Sequence, residues 1–225
     1  MKKLLRVFSL FVIAGALLSA CSGSTGDKAA TGDAQKAGEF AGEAFKADTT
    51  ISVVEWEGSK PGGKHNGTIS LKSGEIYVEN GNITGGRIVI DMHSIVNLDI
   101  QDPEYNQKLV GHLKSADFFS VDSFPEAYFT ITSVKKLASE EQLSSGETVT
   151  HEVSGNLKIK NIEKGITFKA KVEINDNIVS ASAPQFIIDR SEWKIKYGSR
   201  KFFDNLKDKF IYDEIGLKFT FVANK

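Results

Sequence analysis

Cysteine is nearly missing from this sequence: Cys21 is the only one in 225 residues. No internal disulfide can form, so the fold must rest on core packing and hydrogen bonds. A basic excess is missing too. With 28 Lys+Arg against 29 Asp+Glu the formal net charge is −1, which gives nucleic acid nothing to hold. The histidines His65, His93, His112 and His151 never fall at HxxxH or another spacing that would pair two ligands, so no metal site is expected. There is no nucleophile elbow, P-loop, dinucleotide fingerprint or internal repeat, and no catalytic residue is assigned. Residues 22–50 contain no Ile, Leu or Val. Such a stretch cannot bury enough apolar surface to fold by itself.

The first residues are of a different kind. Lys2, Lys3 and Arg6 precede an apolar stretch, Val7 to Leu18, that is short for a membrane span. Leu18-Ser19-Ala20-Cys21 then resembles a bacterial lipoprotein signal, in which the cysteine is lipidated and becomes the mature N-terminus. A plain secretory signal with an incidental cysteine is the bland alternative. Removing residues 1–20 takes away three positive charges and no negative one, leaving 25 Lys+Arg against 29 Asp+Glu, a formal −4. Membrane attachment is therefore expected from acyl chains on Cys21 rather than from electrostatics. The expected organisation is a signal at 1–20, a flexible tether at 21–50 and one domain at 51–225. Within the tether, Asp33 to Lys46 has a weak helical pattern that would dock Phe40 and Phe45 on the domain.

From Ile51 onward the pattern is period two, broken by turn signals. Ile88, Ile90 and Met92 share one face; Ile166, Phe168, Ala170, Val172 and Ile174 share another. Asn80-Gly81 is a two-residue hairpin signal. Ser73-Gly74 reads as a turn, Ser199 to Lys207 as a turn or two of helix, and Trp193, Ile195 and Tyr197 as an alternating strand. The main non-β stretch runs from Asn106 to Phe129. Leu109 and Leu113 lie on one helical face there, Asp102-Pro103 is a cap followed by a first-turn proline, and Phe118-Phe119 follows. Eight or nine mostly antiparallel strands with one polar face each form a closed barrel or a two-sheet sandwich. The small residues Ser180 to Ala183 leave room inside, unless the helix packs there and fills it.

Several short motifs occur together, in order. They are Trp56-Glu57-Gly58, Gly63 to Gly67, Gly85-Gly86 with Ile90-Asp91-Met92, Gly111 to Phe119, Phe124-Pro125, Gly155-Asn156-Leu157, and Ile188-Asp189-Arg190 with Tyr197-Gly198. From about Ile51 to Ala223 the chain resembles the YceI-like family of secreted bacterial lipocalin-like proteins. The resemblance implies an all-β fold: an eight-stranded antiparallel barrel with a short helical insertion. It also implies an interior holding a long apolar ligand, typically a polyisoprenoid, with its polar head near the mouth. Two positions depart from the family. Lys194 stands where a glycine is usual, and Asn161 to Lys164 replaces the usual turn.

On this reading the protein is a lipid-anchored binding protein, not an enzyme, at the outer membrane and facing the periplasm. It would carry a polyprenyl, a quinone or another long-chain amphiphile and need no other cofactor. The alternatives are an envelope enzyme using polar groups at the mouth such as His65, Asp189 or Arg190, and a filled barrel that acts through its surface. Trp56, Phe129, Phe168, Phe186, Trp193 and Phe219 are the candidate ligand wall, although a buried aromatic more often simply packs. His65, Arg190 and Lys194 are the candidate head-group residues. Lys194, Lys196, Arg200 and Lys201 would suit a diphosphate, or form an ordinary solvated face. Asp189-Arg190 reads as a buried ion pair.

Overall fold

The computed structural model describes residues 23–225; Cys21 and the signal read at 1–20 lie outside the described residues. In chain order the strands are β1 (Asp27–Lys28), β2 (Ala30–Asp33), β3 (Glu43–Ala47), β4 (Val53–Lys60), β5 (Gly63–Glu79), β6 (Asn82–Asp91) and β7 (Val96–Asn97). The helix α1 (Pro103–Lys114) follows, then β8 (Glu126–Gln142), β9 (Thr148–Ile159), β10 (Ile162–Ile174), β11 (Ile178–Asp189) and β12 (Glu214–Asn224).

Eight long strands close a ring in the order β4-β5-β6-β8-β9-β10-β11-β12 and back to β4, every neighbour antiparallel. Closure pairs each of the eight strands on both sides over part of its length, which limits the edge left open to other chains. The hairpin Asn80-Gly81 has φ of 52° and 73°, the pair of positive angles that a two-residue turn needs. Ser73-Gly74 is not a turn. β5 runs straight through it, and the register against β6 shifts between Leu71 and Ser73. A glycine in a strand often marks such a bulge, and here Gly74 stands against Ala47 and Phe221.

Residues 27–47 do not behave as a tether, and 33–46 is not a helix. β10 and β11 pair only between 171–174 and 179–182, and toward the other end they part. β1 pairs in parallel with β11 at Phe186 and Ile187, while β2 pairs with β10 from Lys164 to Thr167, so residues 27–33 fill the split. Gln35 and Asn156 then exchange two hydrogen bonds of 2.9 and 2.6 Å. β3 lies between β5 and β12, extending the seam that β4 occupies further along. The docking of Phe40 and Phe45, in the sequence only the alternative to a disordered spacer, is present, with Phe45 in β3 and Phe40 just before it. Phe45 is buried, and Phe40 stacks on Tyr77 at 5.4 Å while covering Gly85. A segment poor in apolar residues is ordered here because open strand edges supply its hydrogen-bond partners and a preformed core takes its few aromatics.

The helix forms as its caps dictate. Asp102 accepts from the N–H groups of Glu104 and Tyr105 at 2.9 and 3.1 Å, and Pro103 occupies the first turn. It sits beside β7 at the end of the barrel where β4, β6, β9 and β11 finish, hereafter the mouth. The connection from Arg190 to Asp213 is at the same end. It holds 3-10 turns at Arg190–Trp193 and Lys207–Lys209, not a strand at 193–197 or a helix at 199–207.

Candidate ligand-binding site

The inward faces of the ring do not fill its interior. An inner lobe of about 110 Å³ is lined by apolar side chains, with Lys218 and Thr220 the exceptions. Ile88 and Ile90 of β6, Ile166, Phe168 and Val172 of β10, and Ala181 of β11 all face it, as the period-two pattern requires. α1 does not plug the space beside Ala181; it stands at the mouth instead. An outer lobe of about 380 Å³ reaches the mouth, bounded by Leu109, His112 and Leu113 of α1, by Phe118-Phe119 and by the 190–213 connection. The two lobes share Val54, Ile90, Leu157 and Leu217 as wall.

Four of the six wall candidates come together. Phe168 stacks on Phe186 with ring centroids 4.4 Å apart, meets Phe129 at 5.7 Å and meets Phe219 edge-on at 5.6 Å, and all four line the inner lobe. Trp56 lines the outer lobe, its indole lying over Gly67, where a Cβ would come within 2.8 Å of the ring. Trp193 is a correction: it lines neither lobe. It is fully buried in the 3-10 turn after β11 and donates its Nε1–H to Leu157 O at 3.0 Å, so it is core.

The head-group candidates divide as well. His65 borders the outer lobe, with its Nδ1 2.8 Å from Asp99 Oδ2. Burial pushes the Asp99 carboxyl up, but hydrogen bonds from the Asn66 N–H, His65 and Asn97 outweigh it and leave it below the ordinary range. Arg190 also borders this lobe, but its guanidinium is already engaged. It donates to the carbonyls of Ile195, Ile211 and Tyr212 and stands 3.2 Å from Asp213 Oδ1. Its ion-pair partner is thus Asp213, not Asp189, which instead accepts from Ser191 and Lys201. Burial lowers the Arg190 pKa, and Asp213 and Asp189 oppose that shift.

Lys194 is exposed and away from both lobes. Its φ of 53° is left-handed, which accounts for the glycine usual there: the turn, not a ligand, sets the requirement. The neighbouring cations are engaged locally as well, Lys196 over the Phe202 ring, Arg200 over Phe210 and Lys201 with Asp189.

Other groups at the outer lobe escaped sequence reading. Trp56 Nε1 and Ser59 Oγ belong to residues of this wall, but both atoms are covered by protein and, among the described residues, have no hydrogen-bond partner. A buried donor left unmet costs roughly 1–3 kcal/mol. Lys60, His112, Tyr197 and Lys209 border the same lobe, His112 with its Nε2 3.1 Å from Asp117 Oδ2. Gly58, Ser59 and Lys60 are consecutive and all face the lobe, an arrangement that no alternating pattern foretells. Among the described residues no group of three His, Cys, Asp or Glu is placed to hold a metal ion.

Comparison with known proteins agrees with this architecture. Among solved structures, Burkholderia cenocepacia BcnA aligns at a TM-score of 0.57 and 19% identity, covering 79% of this chain and 99% of its own. A polyisoprenoid binding domain from Saccharophagus degradans, implicated in plant cell wall breakdown, aligns at 0.57 and 16%, covering 80% and 97%. At these identities the likeness is one of fold. Protein YceI from Salmonella arizonae and from Salmonella newport are each 39% identical over 61 residues, a match that spans 27% of this chain and 27% of each relative. The YceI-like domain matches residues 30–223, the barrel with two of the three short strands that precede it, and the chain therefore belongs to that family.

Proposed function

We propose that the barrel binds one long apolar amphiphile of the isoprenoid class, a polyprenyl or quinone chain, tail in the inner lobe and polar head in the outer one. The observation that carries this is the division of the interior: an almost wholly apolar inner lobe adjoins an outer lobe whose wall includes polar side chains. A cavity of about 150 Å³ takes a six-carbon ring, so the lobes accommodate about four and about fifteen carbons. A wall of this kind with few placed polar groups suits a ligand that water rejects. The Saccharophagus relative's description as polyisoprenoid binding supports the ligand class. Lys60 and Lys209 border the outer lobe and can only donate, so the head carries an acceptor such as a carbonyl, hydroxyl or phosphate oxygen.

Binding without catalysis is the better reading. Among the described residues Ser59 Oγ has no hydrogen-bond partner, so this hydroxyl is not activated by the His65-Asp99 or His112-Asp117 pair. The open interior also disfavours a filled barrel that acts by its surface alone. A lipid on Cys21 and an outer-membrane, periplasm-facing address belong to this proposal, supported by Leu18 to Cys21. Ser24 Oγ bonds Glu57 O near the mouth end of β4. Three residues reach at most about 11 Å, so an anchored Cys21 would hold the mouth close to the bilayer.

The test is mass spectrometry of lipids extracted from protein purified from its native host. A single isoprenoid species in near-equimolar amount is expected. A consistently empty barrel that also ignores added quinones and polyprenyl alcohols would refute the proposal.

A further inference from the structure

We infer that the connection between β11 and β12 is a docking surface for an anionic bilayer, which it holds against the barrel mouth. Three independent observations meet in this segment. The first is charge. Residues 194–209 carry six Lys or Arg against Asp204 and Asp208, in a chain whose formal net charge is −1. The second is exposed aromatic surface. Tyr197, Phe202 and Phe203 are 43, 40 and 49% exposed, although nothing in a soluble barrel requires apolar rings there. The third is position. The same connection supplies Ile195, Tyr197, Lys209 and Ile211 to the wall of the outer lobe.

Aromatic rings flanked by lysines are the composition of a protein surface at a lipid interface, where the rings enter the headgroup layer and the ammonium groups meet anionic lipids. The local pairings do not conflict with this. Lys196 lies over Phe202, so this cation sits beside a ring that would enter, while Arg200 lies over the buried Phe210. Of the carboxylates elsewhere on the mouth rim, Glu104 is matched by Lys108 and Glu192 by Lys164, while Asp99 and Asp117 lie within hydrogen-bond distance of His65 and His112. Val96, Leu98 and Tyr105 are exposed at the same end of the barrel and widen the apolar rim. Under the proposed function, a ligand that leaves the membrane through a docked mouth never meets bulk water. The docking itself does not depend on any ligand.

The test uses the full chain carrying Cys21→Ala, which removes the acyl chain, with Phe203→Trp as a depth probe; native Trp193 is fully buried, and the signal of half-buried Trp56 is subtracted using the protein without the added indole. Vesicles are phosphatidylcholine alone or mixed with phosphatidylglycerol, with and without brominated acyl chains. The indole at position 203 should shift blue and be quenched by brominated lipid when the anionic lipid is present. Added salt should weaken both effects. The Lys196→Gln, Lys207→Gln double variant, which alters no residue of either lobe, should partition roughly thirty-fold less. Phe40→Trp, at the opposite end beside Tyr77, should not be quenched. Absence of quenching at position 203, or equal quenching at position 40, overturns the inference; the former would leave the patch to a protein partner. Because no cavity ligand is needed, this failure is distinguishable from an empty barrel in mass spectrometry.

Discussion

Ala181→Phe should convert the barrel from a long-chain binder to a short-chain one. Ala181 lines the inner lobe within the Ser180 to Ala183 run of small residues, opposite a cluster of phenylalanines. A phenyl ring there fills most of the about 110 Å³ available. By the scale of about six carbons per 150 Å³, the variant loses room for about four carbons. Each buried methylene is worth about 0.8 kcal/mol, so the loss is about 3 kcal/mol, or roughly 200-fold in Kd. The outer lobe is untouched and keeps room for about fifteen carbons. An isoprenoid alcohol of about fifteen carbons should therefore bind both proteins alike, while one of about twenty should discriminate between them. Calorimetric titration, with Trp56 fluorescence as a second readout, measures both. Folding should be little affected, because the new ring occupies space rather than displacing neighbours; urea unfolding checks this. Equal weakening of both ligands would show that the shorter chain already occupies the inner lobe. No weakening of the longer one would show that the tail does not reach the inner lobe.

Trp56→Phe should raise the stability of the unliganded protein by about 1 kcal/mol, since it removes a buried donor without a partner. Thermal melts of the two unliganded proteins measure the difference. Phe45→Ala should cost about 3–5 kcal/mol in urea unfolding, because Phe45 is core; a flexible segment would lose nothing. Asp189→Ala should cost about 1–2 kcal/mol at neutral pH by removing the cap on the 3-10 turn. Burial pushes the Asp189 carboxyl up, but Lys201 and the Ser191 hydroxyl and N–H hold it below the ordinary 3.8. A lowered acid contributes its stability above the unfolded value and loses it as the pH falls through the folded one. The two proteins should therefore converge below about pH 4 in unfolding experiments at several pH values.

Charge was legible in the sequence as a sum and misleading as a guide. Net −4 after residues 1–20 gives no hint that six cations gather around three exposed aromatics at one end of the barrel. The wall aromatics on regular strands, Phe129, Phe168, Phe186 and Phe219, were readable because alternation fixes the face. Trp193 was not, because a 3-10 turn replaces the strand and sends the ring into the core. Arg190 was named as a head-group residue, yet three carbonyls and Asp213 already engage it, and all of them come from the connection that follows it.

The sequence by itself determined the class of structure and the capped helix. Period-two patterning, turn residues and caps act over a few neighbours, and so can be read along a line. Tertiary structure decided the rest. Whether β10 and β11 would part, and that residues 27–33 would fill the gap, depends on strand edges brought together from more than a hundred residues apart. That the interior stays hollow depends on the closure of the whole ring. A cavity and an open edge exist only between segments, so no single segment encodes them.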